Sequence, residues 1–313
     1  MTLKLDIIGA GALGLLYGGK LIASGASVRF WTRTPEQAAL LKQKGIHLAE
    51  PDGTTVIIEG SRFETYYMEE SGMNEGFQGA DWLLLTTKQR HLDANLLKSV
   101  GRLVGPKTKV VCFQNGVGHL EVISVTLPGV PVYAAITTEG AKRTNDYSVS
   151  RAGHGTTQIG KNGGPVGQAE DGESFVKMLE IAGFNALLSK DIGREIYRKL
   201  LINAAINPLT AIWRVANGQL LESEARLHLL RQLCEEGTAI YDACGIPYDR
   251  DLFEQIVAVC RSTSTNISSM LKDVQQGLPT EIDYINGKLV EMARNKGVSA
   301  PGHETVWRLV RAL

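Results

Sequence analysis

Three glycines near the start of the chain, at positions 9, 11 and 14, constrain its fold more than any other feature. They follow an apolar run, Leu3 to Ile8, that predicts a buried strand, and they open an apolar-periodic stretch that predicts a helix to about Ala23. In this context the first glycine permits a tight turn, the second lets backbone approach a pyrophosphate, and the third lets the helix pack close to the strand. The helix N-terminus adds free N–H groups and positive dipole for phosphates. A Rossmann-type dinucleotide site is therefore predicted, made of Gly9, Ala10, Gly11, Ala12, Leu13 and Gly14.

Strands and helices alternate through the first half of the chain, which predicts βαβ units and a parallel sheet. From Asp191 onward the strand signals nearly stop. The predicted fold class is α/β: an N-terminal Rossmann-type doubly wound parallel sheet, residues 1–189, with an all-helical C-terminal domain, residues 190–313. The further strands are predicted at Ser27–Trp31, Trp82–Thr87, Lys109–Phe113 and Val132–Thr137, and the C-terminal helices near 192–212, 222–244, 249–262 and 281–295.

Three segments fit this pattern less well. Tyr147–Arg151 and Thr156–Ile159, separated by two glycines, suggest an antiparallel hairpin that closes the first domain. Residues 262–279 are interpreted partly as loop, and no role is attached to the polar stretch 61–79.

Charge and composition exclude several classes of protein. Lys plus Arg and Asp plus Glu number 33 each, so the formal net charge is zero. Nucleic acid and anionic membranes reward a strongly basic surface, so neither is expected as a partner. The sequence has no apolar run as long as a membrane span, no secretory signal pattern and no metal-ligand spacing of Cys and His. A cytoplasmic protein with reduced cysteines, a small-molecule substrate and no metal is expected, and the apolar stretch 222–244 leaves a homodimer open.

The end of the second predicted strand indicates which dinucleotide binds. An NAD site usually has an acidic residue there for the ribose hydroxyls, whereas this chain has Thr32 and Arg33. An arginine attracts a 2′-phosphate, so these two residues point to NADP(H), although a solvated loop arginine is the alternative. Lys88 and Asn115 follow two other predicted strands and are candidate cleft residues for phosphate, ribose or carboxamide.

A polar stripe marks the first helix of the second half. Lys199, Asn203 and Asn207 are four residues apart, so a helix places them on one face among Leu, Ile and Ala. Buried polar groups need partners, and Pro208 is expected to kink the helix at Ala204, so the stripe suggests a pocket wall. The alternative is a stripe that faces solvent.

A second polar group lies further along the chain. Thr280 to Asp283 resembles a capping box, which places Glu281 in a first helical turn. Its carboxylate either favours a helix N-terminus or pairs with Lys199 and holds that lysine in place.

These motifs together resemble the 2-dehydropantoate 2-reductase, or ketopantoate reductase, family. The resemblance spans nearly the whole chain, and its specific parts are the Lys/Asn/Asn-Pro helix and the later Ser-Ser-Met and Thr-Glu-Ile-Asp segments. It implies NADPH-dependent reduction of 2-dehydropantoate to (R)-pantoate in pantothenate and coenzyme A synthesis. It also implies that Lys199 is the general acid. Glu281 is implied to be a catalytic residue that partners a substrate hydroxyl and the lysine, and to bind the cofactor as well. The implied substrate contacts are Asn203, Asn207, Ser269, Asn115 and Asn266, and the implied cofactor residues outside the glycine loop are Arg33, Lys88 and Asn115.

Two other functions stay open at this point. A related enzyme could reduce another branched 2-keto acid, because pocket shape depends on residues that the sequence does not place. A non-catalytic NADP(H) sensor would need neither Lys199 with Glu281 nor the two asparagines in register with the lysine.

Overall fold

A computed structural model describes residues 3–71, 79–163 and 170–313. The chain forms two compact units. The first comprises Met1–Gln114 and His119–Ile192, and the second comprises Asn115–Gly118 and Gly193–Leu313. A four-residue segment from the first half of the sequence thus belongs to the helical unit.

The first unit combines two sheets with helices. Its strands are β1 (Lys4–Ile8), β2 (Ser27–Thr32), β3 (Ile46–Ala49), β4 (Thr55–Ile58), β5 (Glu64–Tyr67), β6 (Trp82–Leu85), β7 (Lys109–Cys112), β8 (Val132–Thr137), β9 (Gly140–Arg143), β10 (Ser148–Gly153), β11 (Thr156–Lys161) and β12 (Asn185–Leu188). Its helices are α1 (Ala12–Ala23), α2 (Pro35–Lys44), α3 (Ala94–Leu103), α4 (His119–Thr126) and α5 (Glu170–Ile181).

The larger sheet has the order β12-β11-β8-β7-β6-β1-β2-β5. All its neighbours are parallel except β8 and β11, which are antiparallel. The central strand β1 buries Leu5, Ile7 and Ile8 at 1% exposure or less, as expected for a parallel strand covered on both faces. The predicted α/β fold with a Rossmann-like parallel sheet is confirmed.

The predicted closing hairpin is wrong. β10 pairs with β9 and β3 in a separate four-stranded sheet of order β4-β3-β10-β9, whereas β11 pairs with β8 and β12 in the large sheet. Gly153, the last residue of β10, and Gly155, just before β11, therefore lie where the chain passes from one sheet to the other. Alternation and turn residues predict strands, but they do not specify the partner of each strand.

The unassigned stretch 61–79 supplies the last strand of the large sheet. β5 pairs in parallel with β2, from Arg29↔Glu64 to Thr32↔Tyr67. Residues 72–78 lie outside the described part of the chain.

The second unit is helical, with α6 (Ile192–Trp213), α7 (Glu224–Cys244), α8 (Leu252–Ser262), α9 (Ser269–Gln275), α10 (Asn286–Lys296) and α11 (Pro301–Arg311). Three of the predicted helices correspond to α6, α7 and α8, and the fourth, 281–295, overlaps α10, which begins only at Asn286. Helices α9 and α11 are additional to the prediction. The apolar face of α7 lies in the core of this unit, through Leu230, Leu233, Ile240 and Tyr241. Within the described residues, no helix has both the length and the apolar character needed to cross a bilayer.

Helix α6 continues through Pro208 to Trp213. Proline has no N–H, so the carbonyl oxygen of Ala204 loses its donor within the helix. The Asn286 side-chain amide donates to that oxygen at 2.9 Å, from the first residue of α10. A side chain 82 residues away along the chain thus replaces the hydrogen bond that the proline removes.

Asn286 also fixes a buried histidine. His303 Nε2 lies 2.9 Å from the Leu233 carbonyl oxygen, which only accepts, so Nε2 carries the proton. His303 Nδ1 then accepts from Asn286 Nδ2 at 3.0 Å. Burial lowers the pKa of His303 to about 4, so the ring is neutral near pH 7. This chain of hydrogen bonds joins α7, α11, α10 and α6, and it holds the helix that carries Lys199.

Candidate active site

The glycine loop joins β1 to α1. Gly9 has φ +98°, a left-handed conformation that favours glycine, and a Cβ there would lie 2.7 Å from Thr87 Cγ2. Ala10 is buried, and its carbonyl oxygen accepts from Gln37 Nε2 at 2.9 Å. Ala12 and Leu13 begin α1. The sequence therefore places the first helical N–H groups directly beyond the end of β1.

The other two glycines have opposite surroundings. A Cβ on Gly14 would lie 2.0 Å from the Gly9 carbonyl oxygen, so only glycine fits where α1 crosses the loop. A Cβ on Gly11 would meet nothing within 4 Å, and Gly11 is the N-cap of α1 without a side-chain cap. At Gly11 the loop therefore offers both open space and the free N–H groups of the helix N-terminus, which fits the close approach of a pyrophosphate.

The two residues at the end of β2 differ in exposure. Thr32 is fully buried, and its hydroxyl donates to the Thr34 carbonyl oxygen at 2.8 Å, so this side chain shapes the turn. Arg33 is exposed. Of the two, Arg33 has the side chain that fits a 2′-phosphate.

Further cations lie near the end of β6. The pKa of His91 is lowered by burial and then by the charges of Arg90, Arg33 and Lys88. Three basic side chains, at the ends of β2 and β6 on either side of the glycine loop, are therefore close enough to His91 to influence its ring. Lys88 and Arg33 are candidates from the sequence, whereas Arg90 and His91 were not predicted, although the short run 88–91 is rich in basic residues. Positive charge on both sides of a phosphate cradle fits a dinucleotide that carries an additional phosphate.

Lys199 in the second unit has a perturbed pKa. It lies partly buried on α6, and burial lowers its pKa to about 8, while the charge of Glu281 raises the pKa and opposes that shift. An ammonium group with a pKa near 8 is mostly protonated at pH 7 and releases its proton readily, which suits a general acid.

Glu281 is 8% exposed and lies just before a 3-10 turn at Ile282–Tyr284. The capping-box prediction is wrong here, because α10 begins only at Asn286, the residue held by Ala204 and His303. Asn115 Nδ2 donates to Glu281 Oε2 at 3.3 Å. The segment 115–118 thus brings an amide from the end of β7 to the carboxylate in the second unit.

The remaining stripe residues lie further along α6. Asn203 is partly buried and Asn207 is 7% exposed. The Asn207 carbonyl oxygen accepts from the Thr210 hydroxyl at 2.9 Å, and Thr210 Oγ1 lies 2.7 Å from Ser268 Oγ. This contact fixes the N-terminus of α9 beside α6.

The paired serines have different roles in the structure. Ser268 is the buried N-cap of α9, and its hydroxyl oxygen accepts from Leu271 N at 3.1 Å. Ser269 is the exposed first residue of that helix, and Asn266 is exposed in the preceding loop. Ser269 and Asn266 therefore have side chains accessible to a ligand, while Ser268 positions them.

The electrostatic coupling between Lys199 and Glu281 gives a pH test. We expect the basic limb of the kcat/KM profile near pH 8 in the wild-type chain, because the rate falls as the lysine loses its proton. Glu281→Gln removes the charge that raises the pKa of Lys199, so the limb should move to lower pH. Glu291→Gln, on the exposed face of α10, is the matched control and should leave the limb in place. An unmoved limb in Glu281→Gln would contradict the coupling.

A dinucleotide cradle on a parallel sheet and a lysine of lowered pKa beside a carboxylate define a nicotinamide-dependent oxidoreductase. The family model "Ketopantoate reductase PanE/ApbA" matches residues 6–164, and its C-terminal counterpart matches residues 191–313. The chain belongs to the ketopantoate reductase family.

Individual relatives agree with this assignment. The 2-dehydropantoate 2-reductase of Pyrococcus horikoshii is 33% identical over 312 residues, which cover 99% of this chain and 97% of that protein. The crystal structure of 2-dehydropantoate 2-reductase from Methylococcus capsulatus has a TM-score of 0.86 at 25% identity and covers 99% of this chain and 96% of its own. A ternary structure of D-mandelate dehydrogenase with NADH and anilino(oxo)acetate has the same TM-score, 0.86, and identity, 25%, and covers 99% of this chain and 98% of its own.

Proposed function

We propose that this chain is a 2-dehydropantoate 2-reductase that uses NADPH to form (R)-pantoate. The observation that carries the proposal is Lys199, whose lowered pKa and neighbouring Glu281 suit proton donation to a carbonyl oxygen. The glycine cradle and the basic residues near it suit NADPH, which when bound supplies hydride to the ketone carbon.

Lys199 acts on the oxygen of the ketone. Negative charge grows on that oxygen in the transition state, and an ammonium group aimed at it both stabilises the charge and delivers a proton. Burial makes this lysine a stronger acid than a solvent-exposed one, while the charge of Glu281 raises its pKa and favours the protonated form. Asn115 donates to Glu281, which holds the carboxylate in place.

The amides and hydroxyl hold the 2-keto acid. Asn203 and Asn207 follow Lys199 on the same face of α6, so they are suited to orient a substrate whose ketone faces the lysine. Ser269 and Asn266 supply further polar contacts. By holding the substrate, these four side chains of the second unit would bring its ketone carbon to a productive distance from the hydride donor. This orientation of the substrate raises the rate.

Arg33 selects NADPH over NADH in this proposal. We expect Arg33→Ala to raise the KM for NADPH by about 10- to 100-fold, the loss expected for a charged hydrogen-bonding partner. The KM for NADH should change little, because NADH has no 2′-phosphate. Steady-state kinetics with both cofactors measures this, with Arg250→Ala at an exposed position of the second unit as the control. Equal effects on the two cofactors would contradict the assignment.

A second candidate substrate is another 2-keto acid. The likeness to D-mandelate dehydrogenase favours it, because that protein shares the fold at 25% identity and was solved with NADH and anilino(oxo)acetate. Comparison of kcat/KM for 2-dehydropantoate, 2-oxoisovalerate and benzoylformate separates the two. We expect the highest value with 2-dehydropantoate, and a higher value with either other acid would replace the proposed substrate.

A non-catalytic NADP(H) sensor fits the site less well, because it has no use for a buried lysine whose pKa is poised near 8. NADPH binding without turnover of any of the three acids would support the sensor. The cytoplasmic location and the homodimer stay predictions.

A further inference from the structure

Gln114 follows β7 in the first unit and is 5% exposed. Among the described residues, its side-chain Oε1 and Nε2 are both buried without a hydrogen-bond partner. A buried primary amide without partners is costly, because it lost its hydrogen bonds to water on folding. Its retention at a strand end suggests that a ligand supplies the missing partners.

Two other buried polar atoms without hydrogen-bond partners lie in segments that follow β6 and β7. Thr87 Oγ1, two residues beyond β6, and His119 Nδ1, at the start of α4, are also buried without a hydrogen-bond partner. β6 and β7 are adjacent parallel strands, so the segments that follow them lie at the same edge of the sheet. This edge also carries the glycine loop, after β1.

The order of the strands indicates which part of a dinucleotide reaches Gln114. The pyrophosphate belongs at the loop after β1, and the adenosine ribose extends toward Arg33 after β2. The sheet order is β7-β6-β1-β2, so the nicotinamide half extends the other way, toward the ends of β6 and β7. Gln114 is at the end where a nicotinamide ring belongs.

We propose that the side-chain amide of Gln114 binds the carboxamide of the nicotinamide through a pair of hydrogen bonds. Gln114 offers one acceptor and one donor group, and a carboxamide offers the complementary donor and acceptor. A substrate carboxylate only accepts, so it would leave Oε1 without a donor. This inference rests on the proposed use of a nicotinamide cofactor, and it adds a cofactor-binding residue for the reactive ring.

The test combines substitutions of Gln114 with a cofactor analogue and compares the Kd of each protein for each dinucleotide. 3-Acetylpyridine adenine dinucleotide phosphate keeps the carbonyl acceptor of NADP⁺ but has a methyl group in place of the amide donor. Isothermal titration calorimetry gives the Kd of each dinucleotide for wild-type, Gln114→Met and Gln114→Glu proteins. Gln43→Met, at an exposed position of α2, is the matched control.

We expect wild-type protein to bind NADP⁺ about tenfold more tightly than the analogue, the ratio expected for one buried hydrogen bond. Gln114→Met should bind both dinucleotides alike and more weakly than wild type binds NADP⁺. Gln114→Glu still accepts from the amide, so it should keep the preference for NADP⁺ while binding both dinucleotides more weakly. Gln43→Met should match the wild-type protein.

A stability measurement separates binding from structure. Without ligand, the Tm of Gln114→Met should equal or exceed that of wild type, because methionine removes an unsatisfied amide at similar volume. A lower Tm with unchanged Kd values would mean that Gln114 has a structural role and would contradict the proposal. A retained NADP⁺ preference in Gln114→Met, or an effect only on the KM of the keto acid, would also contradict it. Failure of wild-type protein to bind NADP⁺ would instead overturn the proposed function.

Discussion

Lys199→Ala should lower kcat by about 10²- to 10⁴-fold, the range that a positioned general acid contributes. The Kd for NADP⁺ should stay close to the wild-type value, because the glycine cradle and Arg33 belong to the first unit and Lys199 to the second. Stopped-flow single-turnover rates with 2-dehydropantoate, together with calorimetry of NADP⁺ binding, separate the two effects.

Lys199→Arg distinguishes charge from proton transfer. Arginine keeps the positive charge that stabilises the developing oxyanion, but its pKa is so far above neutral pH that it does not release a proton. We expect an intermediate loss of kcat and no basic limb near pH 8. Lys296→Ala, at an exposed position of α10, is the control for loss of a lysine elsewhere. Full turnover in Lys199→Ala would contradict its role as general acid.

The glycine loop gives the second large effect, through a pair of alanine substitutions. Gly14→Ala places a Cβ 2.0 Å from the Gly9 carbonyl oxygen and 2.7 Å from Thr86 Oγ1, where backbone cannot yield easily. We expect the free energy of unfolding to fall by about 3 kcal/mol or more, at the upper end for overpacked cores. NADP⁺ binding should be lost with the shape of the loop.

Gly11→Ala is the matched substitution on the same loop. Its Cβ meets no protein atom within 4 Å and its φ of −81° suits alanine, so stability should change by no more than about 1 kcal/mol, the usual cost of alanine at an N-cap. The methyl group occupies the approach to the helix N-terminus, so NADP⁺ affinity should fall at least about tenfold. Urea unfolding and calorimetry of both variants measure these changes. Unchanged NADP⁺ affinity in Gly11→Ala would contradict the placement of the pyrophosphate.

Local sequence patterns predicted much of the fold. The buried strand before Gly9 and the helix after it follow from apolar runs and periodicity, which depend on near neighbours in the chain. The Lys199 stripe was visible for the same reason, because residues four apart share one helix face.

What the sequence left unpredicted depends on distant partners. The partners of β10 and β11 lie in two different sheets, and no local signal distinguishes them from a hairpin. The donor that replaces the hydrogen bond lost at Pro208 is the side-chain amide of Asn286. Asn286 is also the first residue of α10, which begins later than the capping-box pattern predicted. Gln114 lies in a loop that the sequence identified, but only the structure shows that its amide is buried and has no protein partner among the described residues.

The most direct test of the proposed activity follows NADPH oxidation at 340 nm with 2-dehydropantoate, with NADH in a parallel assay. We expect saturable turnover that depends on 2-dehydropantoate and is much faster with NADPH than with NADH at equal concentration. No oxidation of either cofactor by folded, NADP⁺-binding protein would contradict it.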